Sequence, residues 1–360
     1  MALSALDKLN DSLIKKYGEG VVMDLSRSGA ALPDVDRVPL DNPDIAALFG
    51  KEGVPIGRVI EIYGEESSGK TSLCEYISGQ FQQYDFTYVS NEKTGEVSYR
   101  KGVVVYIDTE NAIDLEYAKK HGFDVSKAVL VQPDSGEEAL DIAITYAESG
   151  LVDLIVIDSI AALTPKAIIE GDMDQQTIGL QARMLSKFFG KAVAIFKKNN
   201  VTLLCINQTR TNIGGWAPTG SIPTTTTGGK ALRFYSSVRI EVKRKEYIME
   251  KDDMVGLMIG AKTVKNKTAP PMIKRLLRMT FEDSFESTMA WIDLFIKYSF
   301  VEMGGAGWAT LPNGEKLQGR DNIKEYFMNN KEEFDELVEK CRKIISDNTG
   351  SRVSVDEPLE

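Results

Sequence analysis

The sequence predicts an α/β protein in which a largely parallel, twisted sheet is flanked by helices. Short apolar runs at 103–107, 154–157 and 201–206 alternate with segments of helical character. Strands that are buried on both faces of a parallel sheet are continuous apolar runs of this kind. The first such run, 58–63, leads through a glycine-rich turn into a helix. This strand–turn–helix order indicates where a ligand site would lie.

The glycine-rich turn has the spacing of a phosphate-binding loop, G-x-x-x-x-G-K-[ST]. Its glycines let successive N–H groups point at one anion, and the helix N-terminus adds its partial positive charge. The lysine is placed to reach the β- and γ-phosphates, and the threonine offers a hydroxyl to Mg²⁺. The chain is therefore predicted to bind a nucleoside triphosphate. The predicted contacts are Gly64, Glu65, Glu66, Ser67, Ser68, Gly69, Lys70, Thr71 and Ser72.

Composition excludes several kinds of protein. A formal net charge of −10 over 360 residues argues against a uniformly basic nucleic-acid coat protein, but leaves DNA binding by a few loops open. The three cysteines lack C-x-x-C spacing, so neither a zinc site nor a disulfide framework is predicted. We expect a cytoplasmic protein without a signal peptide or a membrane segment. The single histidine, His121, is predicted to lie at a helix C-terminus and cannot supply a histidine-based metal site.

Residues 1–34 are predicted to form an N-terminal segment. Apolar side chains recur at helical spacing over residues 3–17, and two glycines then end the helix. The apolar stripe is covered either by the same chain or by a neighbouring subunit, and its periodicity does not distinguish these. Residues 25–57 are predicted to be a connector, and 86–101 a surface β-hairpin.

Polar side chains end three of the predicted strands of the core, which spans 35–286. They are Asp108 and Glu110, Asp158 and Ser159, and Asn207 and Gln208. In sheets of this kind chemistry gathers at the carboxyl ends of the strands. Asp158 has the form of a carboxylate that holds Mg²⁺ beside a phosphate loop. Glu110 is placed to activate a water that attacks the γ-phosphate, or else caps a helix.

Beyond Gln208 the chain contains a long stretch rich in Gly and Thr. A stretch of this length inside a compact domain is either functional or disordered. Residues 287–346 are predicted to form a small α/β C-terminal domain, and 347–360 a disordered acidic tail.

Several motifs together resemble those of the bacterial RecA recombinases. They lie at 58–71, 106–112, 157–165, 206–210, 225–232, 234–239 and 264–267. The similarity extends over roughly residues 3 to 340 in one order, except near the hairpin. It implies a RecA-like P-loop NTPase core that uses ATP and Mg²⁺. It also implies a recombinase that forms a helical filament on single-stranded DNA, pairs it with duplex DNA and exchanges strands with DNA-stimulated ATP hydrolysis.

The resemblance implies specific roles at the nucleotide. Glu110 would be the catalytic base, and Asp158 the Mg²⁺-side carboxylate. Gln208 would sense the γ-phosphate and switch the adjoining loop between two states. Asp114 and Tyr117 match positions that contact adenine, Tyr117 by stacking on the base.

The same resemblance implies that ATP lies between protomers. Lys265 and Lys267 would act on the phosphates across a subunit interface, as an arginine finger does elsewhere. From the sequence alone, ordinary exposed charge at a strand end is the favoured interpretation of this pair. Phe234 matches an interface position, and the N-terminal stripe would dock on the next subunit.

Two loops, near 170–178 and 209–227, would line the filament axis. The DNA-binding residues that the resemblance implies are Ile178, Arg183, Arg210, Trp216 and Lys230. Cationic side chains suit phosphates and apolar ones suit insertion between bases, so we expect sequence-independent binding. The alternative for Trp216 is local packing of its loop. In the C-terminal segment, Lys297, Lys316 and Arg320 are candidates for guiding duplex DNA.

The sequence also departs from the family pattern. Asn111 stands where the family has a histidine, and Gly190 where a basic residue is expected. Phe281-Glu282-Asp283-Ser284 replaces an aromatic-Gly-Glu-Gly turn near the adenine. Such divergence would suit a phage-encoded or otherwise specialised member.

Three alternatives remain open at this stage. The first is a ring-forming RecA-like DNA helicase or loader ATPase on the same core, and the second is a small-molecule P-loop kinase. The third keeps the filament but makes signalling to a repressor its main role. A repressor and accessory recombination proteins are the further partners to consider, and no membrane is expected.

Overall fold

The computed structural model of the chain describes residues 2–18, 22, 35–50, 53–91, 96–171, 179–211 and 224–348. Contacts divide the chain into two units, Met1–Asp36 and Arg37–Glu360. In the first unit, helix α1 spans Ala2–Tyr17 and carries Lys15 and Lys16 in its last turn, where they complement the helix dipole. Its apolar residues Leu6, Leu9 and Tyr17 are exposed.

The second unit alternates strands with helices for most of its length. Its strands are β1 Arg37–Pro39, β2 Gly53–Pro55, β3 Val59–Gly64, β4 Asp85–Asn91, β5 Glu96–Lys101, β6 Val104–Asp108, β7 Val129–Val131, β8 Leu154–Asp158, β9 Thr202–Thr211, β10 Thr224–Thr226, β11 Val238–Glu250, β12 Asp253–Asn266, β13 Lys274–Thr280, β14 Glu302–Met303, β15 Trp308–Thr310 and β16 Lys316–Gln318. Its helices are α2 Pro43–Phe49, α3 Lys70–Gln83, α4 Leu115–Lys120, α5 Gly136–Ser149, α6 Lys166–Ile169, α7 Leu180–Lys198, α8 Ala231–Tyr235, α9 Ser287–Lys297, α10 Arg320–Asn329 and α11 Lys331–Asn348. Short 3₁₀ turns lie at Val125–Lys127, Ile160–Ala162 and Gly305–Gly307.

One large sheet organises this unit. Its strands lie in the order β13-β12-β11-β3-β9-β8-β6-β7, with β10 paired to β9. The strands from β11 to β7 in this order are mutually parallel. β10, β12 and β13 are antiparallel additions. The predicted α/β fold with a largely parallel sheet is therefore confirmed, and the carboxyl ends of its central strands meet at one edge.

The two faces of the sheet bury different side chains of the same strands. Along β8, Leu154 and Val156 join a core that contains α3, whereas Ile155 and Ile157 join a core formed with α5 and α7. Successive side chains of a strand point to opposite faces. Both sets are fully buried, which explains why these strands are unbroken apolar runs.

The described residues from 37 to 55, within the predicted connector, contain two strands and a helix. Strands β1 and β2 pair there, and helix α2 packs Ile45, Leu48 and Phe49 into the core. Asn42 begins α2, because its side chain accepts the N–H groups of Asp44 and Ile45 at 3.0 and 3.1 Å. The connector prediction was wrong for residues 43–49. It relied on composition and gave too little weight to Asn42-Pro43, a pair that favours the start of a helix.

The predicted surface hairpin is confirmed as the antiparallel pair β4–β5, in which Phe86 lies opposite Arg100. An ion pair between Arg100 and Asp153 ties the hairpin to the residue preceding β8. The three cysteines are buried and unpaired.

Helices α9 to α11 and the small sheet β14-β15-β16 enclose a further core. It includes Trp291, Phe295, Phe327 and Leu337. The division of the chain into 1–34, 35–286 and 287–346 remains a prediction. Residues 347–348 of the predicted tail belong instead to α11, and 349–360 lie outside the described residues. Within the described part of the chain, no helix combines the length and apolarity needed to cross a bilayer.

Candidate functional site

The glycine-rich turn lies between β3 and α3, at the carboxyl edge of the sheet. A Cβ on Gly64 would lie 2.1 Å from the carbonyl oxygen of Val242, so only glycine lets β11 pass this closely. Gly69 has φ +86°, a left-handed conformation from which the chain enters α3. The backbone geometry therefore explains why both positions of the predicted phosphate loop are glycine. The loop leads into a helix N-terminus, as predicted.

Lys70, Thr71 and Asp158 meet beneath this loop. Lys70 is buried, its Nζ donates to the carbonyl oxygen of Glu65 at 2.5 Å, and burial lowers its pKa. The Thr71 hydroxyl donates to Oδ2 of Asp158 at 3.1 Å, and the Tyr106 hydroxyl donates to the same oxygen at 2.8 Å. Burial raises the pKa of Asp158 to about 6. The Thr71 hydroxyl and the Asp158 carboxylate, which the sequence predicts to bind Mg²⁺, are therefore adjacent.

The two carboxylates at the end of β6, Asp108 and Glu110, have different surroundings. Asp108 is buried and accepts the backbone N–H groups of Glu110 and Ile113, each at 3.2 Å. Glu110 is exposed, and its Oε1 accepts the hydroxyl of Ser159 at 2.5 Å. Asp108 therefore shapes the turn, and Glu110 remains available at the edge of the site beside the strand that carries Asp158.

Gln208 lies opposite Gly64 in the pairing of β9 with β3. Its neighbour Asn207 is fully buried and donates to Oε1 of Glu61 at 2.9 Å and to the carbonyl oxygen of Thr227 at 3.2 Å. The Thr227 hydroxyl donates back to Oδ1 of Asn207, which also accepts the Gln208 N–H at 2.9 Å. One buried amide therefore joins the strand before the phosphate loop to both ends of the predicted second DNA loop.

A cavity of about 420 Å³ adjoins the phosphate loop. Besides residues 67–72 it is lined by Tyr117, Arg244, Tyr247, Met254, Leu257, Met279 and Phe281. The Tyr117 hydroxyl lies 3.5 Å from Oγ of Ser72. The Asp114 side chain caps α4 by accepting the N–H groups of Glu116 and Tyr117, both at 3.0 Å.

Sequence reasoning missed the contribution of the β11–β12 hairpin to this cavity. Arg244 lies over the ring of Tyr247, 4.9 Å from its centre, and both residues line the cavity wall. No local pattern marks them, because they reach the phosphate loop only through the pairing of β11 with β3.

The lysine pair lies away from the chain's own phosphate loop. Lys265 pairs with Arg239, and Arg239 pairs with Glu61, three residues before Gly64. Strand rise and strand spacing then place Lys265 about 14 Å from Gly64, beyond the reach of about 6 Å of a lysine side chain. Its Nζ donates to the carbonyl oxygens of Arg233 and Phe234, each at 2.9 Å. The pKa of Lys265 is lowered to about 8, mainly because the side chain is partly buried. The charge of Lys267 is the next largest cause.

Three of the predicted DNA contacts can be placed. Arg183 on α7, Arg210 on β9 and Lys230 before α8 are all exposed. A Cβ on Gly229 would lie 2.9 Å from Cβ of Ala182, so the segment that carries Lys230 packs on the turn of α7 that carries Arg183. Ile178 and Trp216 lie outside the described residues.

A phosphate loop at the carboxyl edge of a mostly parallel sheet, with a hydroxyl and carboxylates on the adjoining strands, defines a P-loop nucleotide-binding protein. Comparison with known proteins narrows this class. A family model described as the RecA N-terminal domain matches residues 4–286.

Protein RecA of Campylobacter fetus subsp. fetus is 38% identical over 356 residues, which cover 99% of this chain and 97% of the relative. Protein RecA of Francisella tularensis subsp. tularensis is 40% identical over 358 residues, covering 99% and 94%. Protein RecA of Bdellovibrio bacteriovorus is 37% identical over 355 residues, covering 98% and 88%. The chain belongs to the RecA family of recombinases, DNA-dependent ATPases of recombination and repair.

Proposed function

We propose that this recombinase forms a helical filament on single-stranded DNA in which each ATP lies between two protomers. The observation that carries this proposal is the separation between the phosphate loop and Lys265 within one chain. A lysine that cannot reach its own loop can act on phosphates held by a neighbouring copy, which requires head-to-tail assembly. Phe234, whose carbonyl oxygen holds Lys265, is 66% exposed and suits a place in that interface.

Residues 1–34 would serve as the polymerisation segment, 35–286 as the ATPase core and 287–346 as a C-terminal domain. The exposed leucines of α1 support docking of this helix on another subunit, since they leave apolar area to be covered. In this proposal Lys297, Lys316 and Arg320 of the C-terminal domain guide duplex DNA.

The residues present fit a triphosphate with Mg²⁺. The glycine cradle admits phosphate oxygens, and the desolvated Lys70 ammonium gains an anionic partner when it leaves the carbonyl oxygen of Glu65. Thr71 and Asp158 would hold Mg²⁺, which supplies positive charge to the phosphate oxygens when bound. Asp114 and Tyr117 would contact the adenine base.

Glu110 would orient the attacking water and accept its proton. Its carboxylate is exposed and held by Ser159, so it is fixed in direction and open to solvent. Gln208 would report the γ-phosphate to the second DNA loop. The hydrogen bonds among Glu61, Asn207 and Thr227 support this role, because they give the two ends of that loop a common anchor beside β3.

Arg183, Arg210 and Lys230 would bind DNA phosphates, and Ile178 and Trp216 would insert between bases. The proximity of the segments carrying Arg183 and Lys230 supports a shared cationic surface. Contacts to phosphates position DNA without reading its sequence, which suits a protein that must accept any strand.

The test is ATP turnover with and without single-stranded DNA, for the intact chain and for Lys70→Ala. We expect DNA to stimulate the intact chain, and Lys70→Ala to reduce turnover about 100-fold or more. Negative-stain images with ATP and DNA should show helices. Rings would instead support the helicase or loader alternative, and turnover indifferent to DNA would support the kinase. Lys198→Ala, at the exposed end of α7, is a matched control that should behave like the intact chain.

A further inference from the structure

Three polar side chains meet in the interior behind Tyr117. Glu75 on α3, His121 at the C-terminus of α4 and Ser284 after β13 are 1%, 2% and 5% exposed. Nδ1 of His121 is hydrogen-bonded to Oγ of Ser284, and Nε2 of His121 faces Oε2 of Glu75 at 3.8 Å. Within the described residues, Nε2 of His121 and Oε2 of Glu75 are buried atoms without a hydrogen-bond partner. Two orphaned polar atoms that face each other call for a shared proton.

The surroundings favour one proton on this pair. Burial raises the pKa of Glu75 to about 8, and the charges of Asp158 and Asp114 add to the effect. Burial lowers the pKa of His121 to about 4, and Lys120 adds to that effect. At neutral pH a carboxylic acid therefore faces a neutral imidazole.

A small approach lets the Glu75 acid donate to Nε2, and this tautomer leaves an Nδ1–H to donate to Ser284. Two aromatic rings also lie beside the imidazole. Tyr117 meets it edge-on at 4.5 Å between ring centres, and Phe285 lies at 6.1 Å. The Glu75–His121–Ser284 relay is thus a buried polar cluster with aromatic rings beside its imidazole.

Each member of the relay belongs to an element that forms a wall of the cavity. The helix of Glu75 begins at the phosphate loop and supplies Ser72. His121 ends the helix of Tyr117, and Ser284 closes the turn that begins at Phe281. The relay therefore connects three walls of the cavity, two of which also meet through the long contact between the Ser72 and Tyr117 hydroxyls.

We propose that Glu75, His121 and Ser284 are positioning residues that hold Tyr117 and Phe281 against the phosphate-loop helix. In this way they set the affinity for the base of the nucleotide and make that affinity depend on pH. The proposal rests on the proposed role of Tyr117 as a base contact. It gives the chain's single histidine a function that the sequence does not suggest.

The test compares ATP with inorganic tripolyphosphate, which lacks the base, in equilibrium binding to the full chain. Glu75→Leu removes the proton donor, so we expect ATP affinity to fall about tenfold at neutral pH while tripolyphosphate affinity stays the same. Glu75→Gln keeps a donor that cannot ionise, so it should restore ATP affinity. Glu75→Gln should also remove the decrease in ATP affinity that we expect for the intact chain between about pH 7 and about pH 9.

Because the ionisation of the ligand is common to all variants, the ratio of affinities between variant and intact chain isolates the protein's contribution. Unchanged ATP affinity in Glu75→Leu would overturn the proposal, as would a Glu75→Gln chain that retains the full pH dependence. Equal losses for ATP and tripolyphosphate would also overturn it, since they would indicate general damage to the fold.

A second readout uses the imidazole NMR signal of a tag-free chain, which needs no assignment because His121 is the only histidine. We expect no titration between about pH 5.5 and 7.5, and a shift on adding ATP but not tripolyphosphate. Titration near pH 6.5 would contradict the relay.

A further variant, Tyr117→Ala, separates the role of Tyr117 as a base contact from the role of the relay in positioning it. If Tyr117→Ala does not lower the affinity for ATP relative to tripolyphosphate, Tyr117 is not a base contact. If Tyr117→Ala lowers that affinity and Glu75→Leu does not, Tyr117 contacts the base but the relay does not position it.

Discussion

Asn207 and Thr227 hold each other by two reciprocal hydrogen bonds. The side-chain amide of Asn207 donates to the backbone carbonyl oxygen of Thr227, and the Thr227 hydroxyl donates to Oδ1 of Asn207. The two residues lie on either side of the segment 209–226, the greater part of the predicted second DNA loop. Since Asn207 also donates to Glu61 on β3 and accepts the Gln208 N–H, one buried side chain joins the strand before the phosphate loop to residues on both sides of this segment.

Asn207→Ala should uncouple DNA from ATP turnover. The change leaves the phosphate loop intact, so ATP affinity should remain within about threefold, while stimulation by single-stranded DNA should fall about tenfold, or 1.4 kcal/mol of coupling. The measurement is ATPase rate against DNA concentration. Thr227→Val should show a smaller loss in the same direction. Thr145→Val, the same substitution at an exposed position of α5, should show none. Full stimulation in Asn207→Ala would contradict the anchor.

Glu110→Gln should abolish hydrolysis without abolishing binding. The amide oxygen still accepts the Ser159 hydroxyl but cannot accept a proton from water, so turnover should fall about 100-fold or more. Binding of ATP and of single-stranded DNA should persist, measured by fluorescence titration. Glu116→Gln changes an exposed carboxylate on the following helix and is the control. If function in recombination survives Glu110→Gln, a signalling role becomes the better interpretation.

Mixing two inactive variants should restore turnover if the lysine pair acts between protomers. Lys70→Ala lacks the loop lysine but supplies Lys265, and Lys265→Ala does the reverse. In a random one-to-one filament about a quarter of the interfaces combine an intact loop with an intact Lys265, so about a quarter of normal turnover should return. Each variant alone should be nearly inactive. A mixture as inactive as its components would show that Lys265 acts within its own chain.

Stability should depend on pH through the buried pair Glu75 and His121. The pKa of Glu75 is raised from 4.5 to about 8, so the folded state retains its proton and stability falls as pH rises across that range. The pKa of His121 is lowered from 6.5 to about 4, so its contribution makes stability rise with pH over that interval. The two effects cancel between pH 4.5 and 6.5, which leaves a net loss of about 2 kcal/mol between pH 6.5 and about 8.

Urea unfolding of the intact chain and of the double variant Glu75→Leu, His121→Leu measures this loss. Titrations elsewhere in the protein are shared, so the difference in unfolding free energy between the two chains should change by about 2 kcal/mol across that window. A constant difference across the window would contradict a buried, protonated Glu75.

Much of the site is predictable from sequence because its signals are local. The phosphate loop requires glycines at fixed spacing, Asp158 follows an unbroken apolar strand, and His121 ends a helix whose C-terminus was predicted. The connector ahead of the phosphate loop shows the limit of this reasoning. Its composition favours a loop, yet Ile45, Leu48 and Phe49 find a buried surface on the rest of the unit and form a helix there.

By itself the sequence determined that this chain is an α/β protein with a phosphate loop, and where along the chain its strand-end carboxylates fall. Only the tertiary structure decided that Arg244 and Tyr247 line the cavity, that Asn207 joins Glu61 to Thr227, and that Lys265 lies out of reach of its own loop. The same holds for His121 and Ser284, which are 163 residues apart. The physical reason is that side chains far apart in sequence leave no periodic or local mark, and meet only when strand pairing and burial bring their elements together.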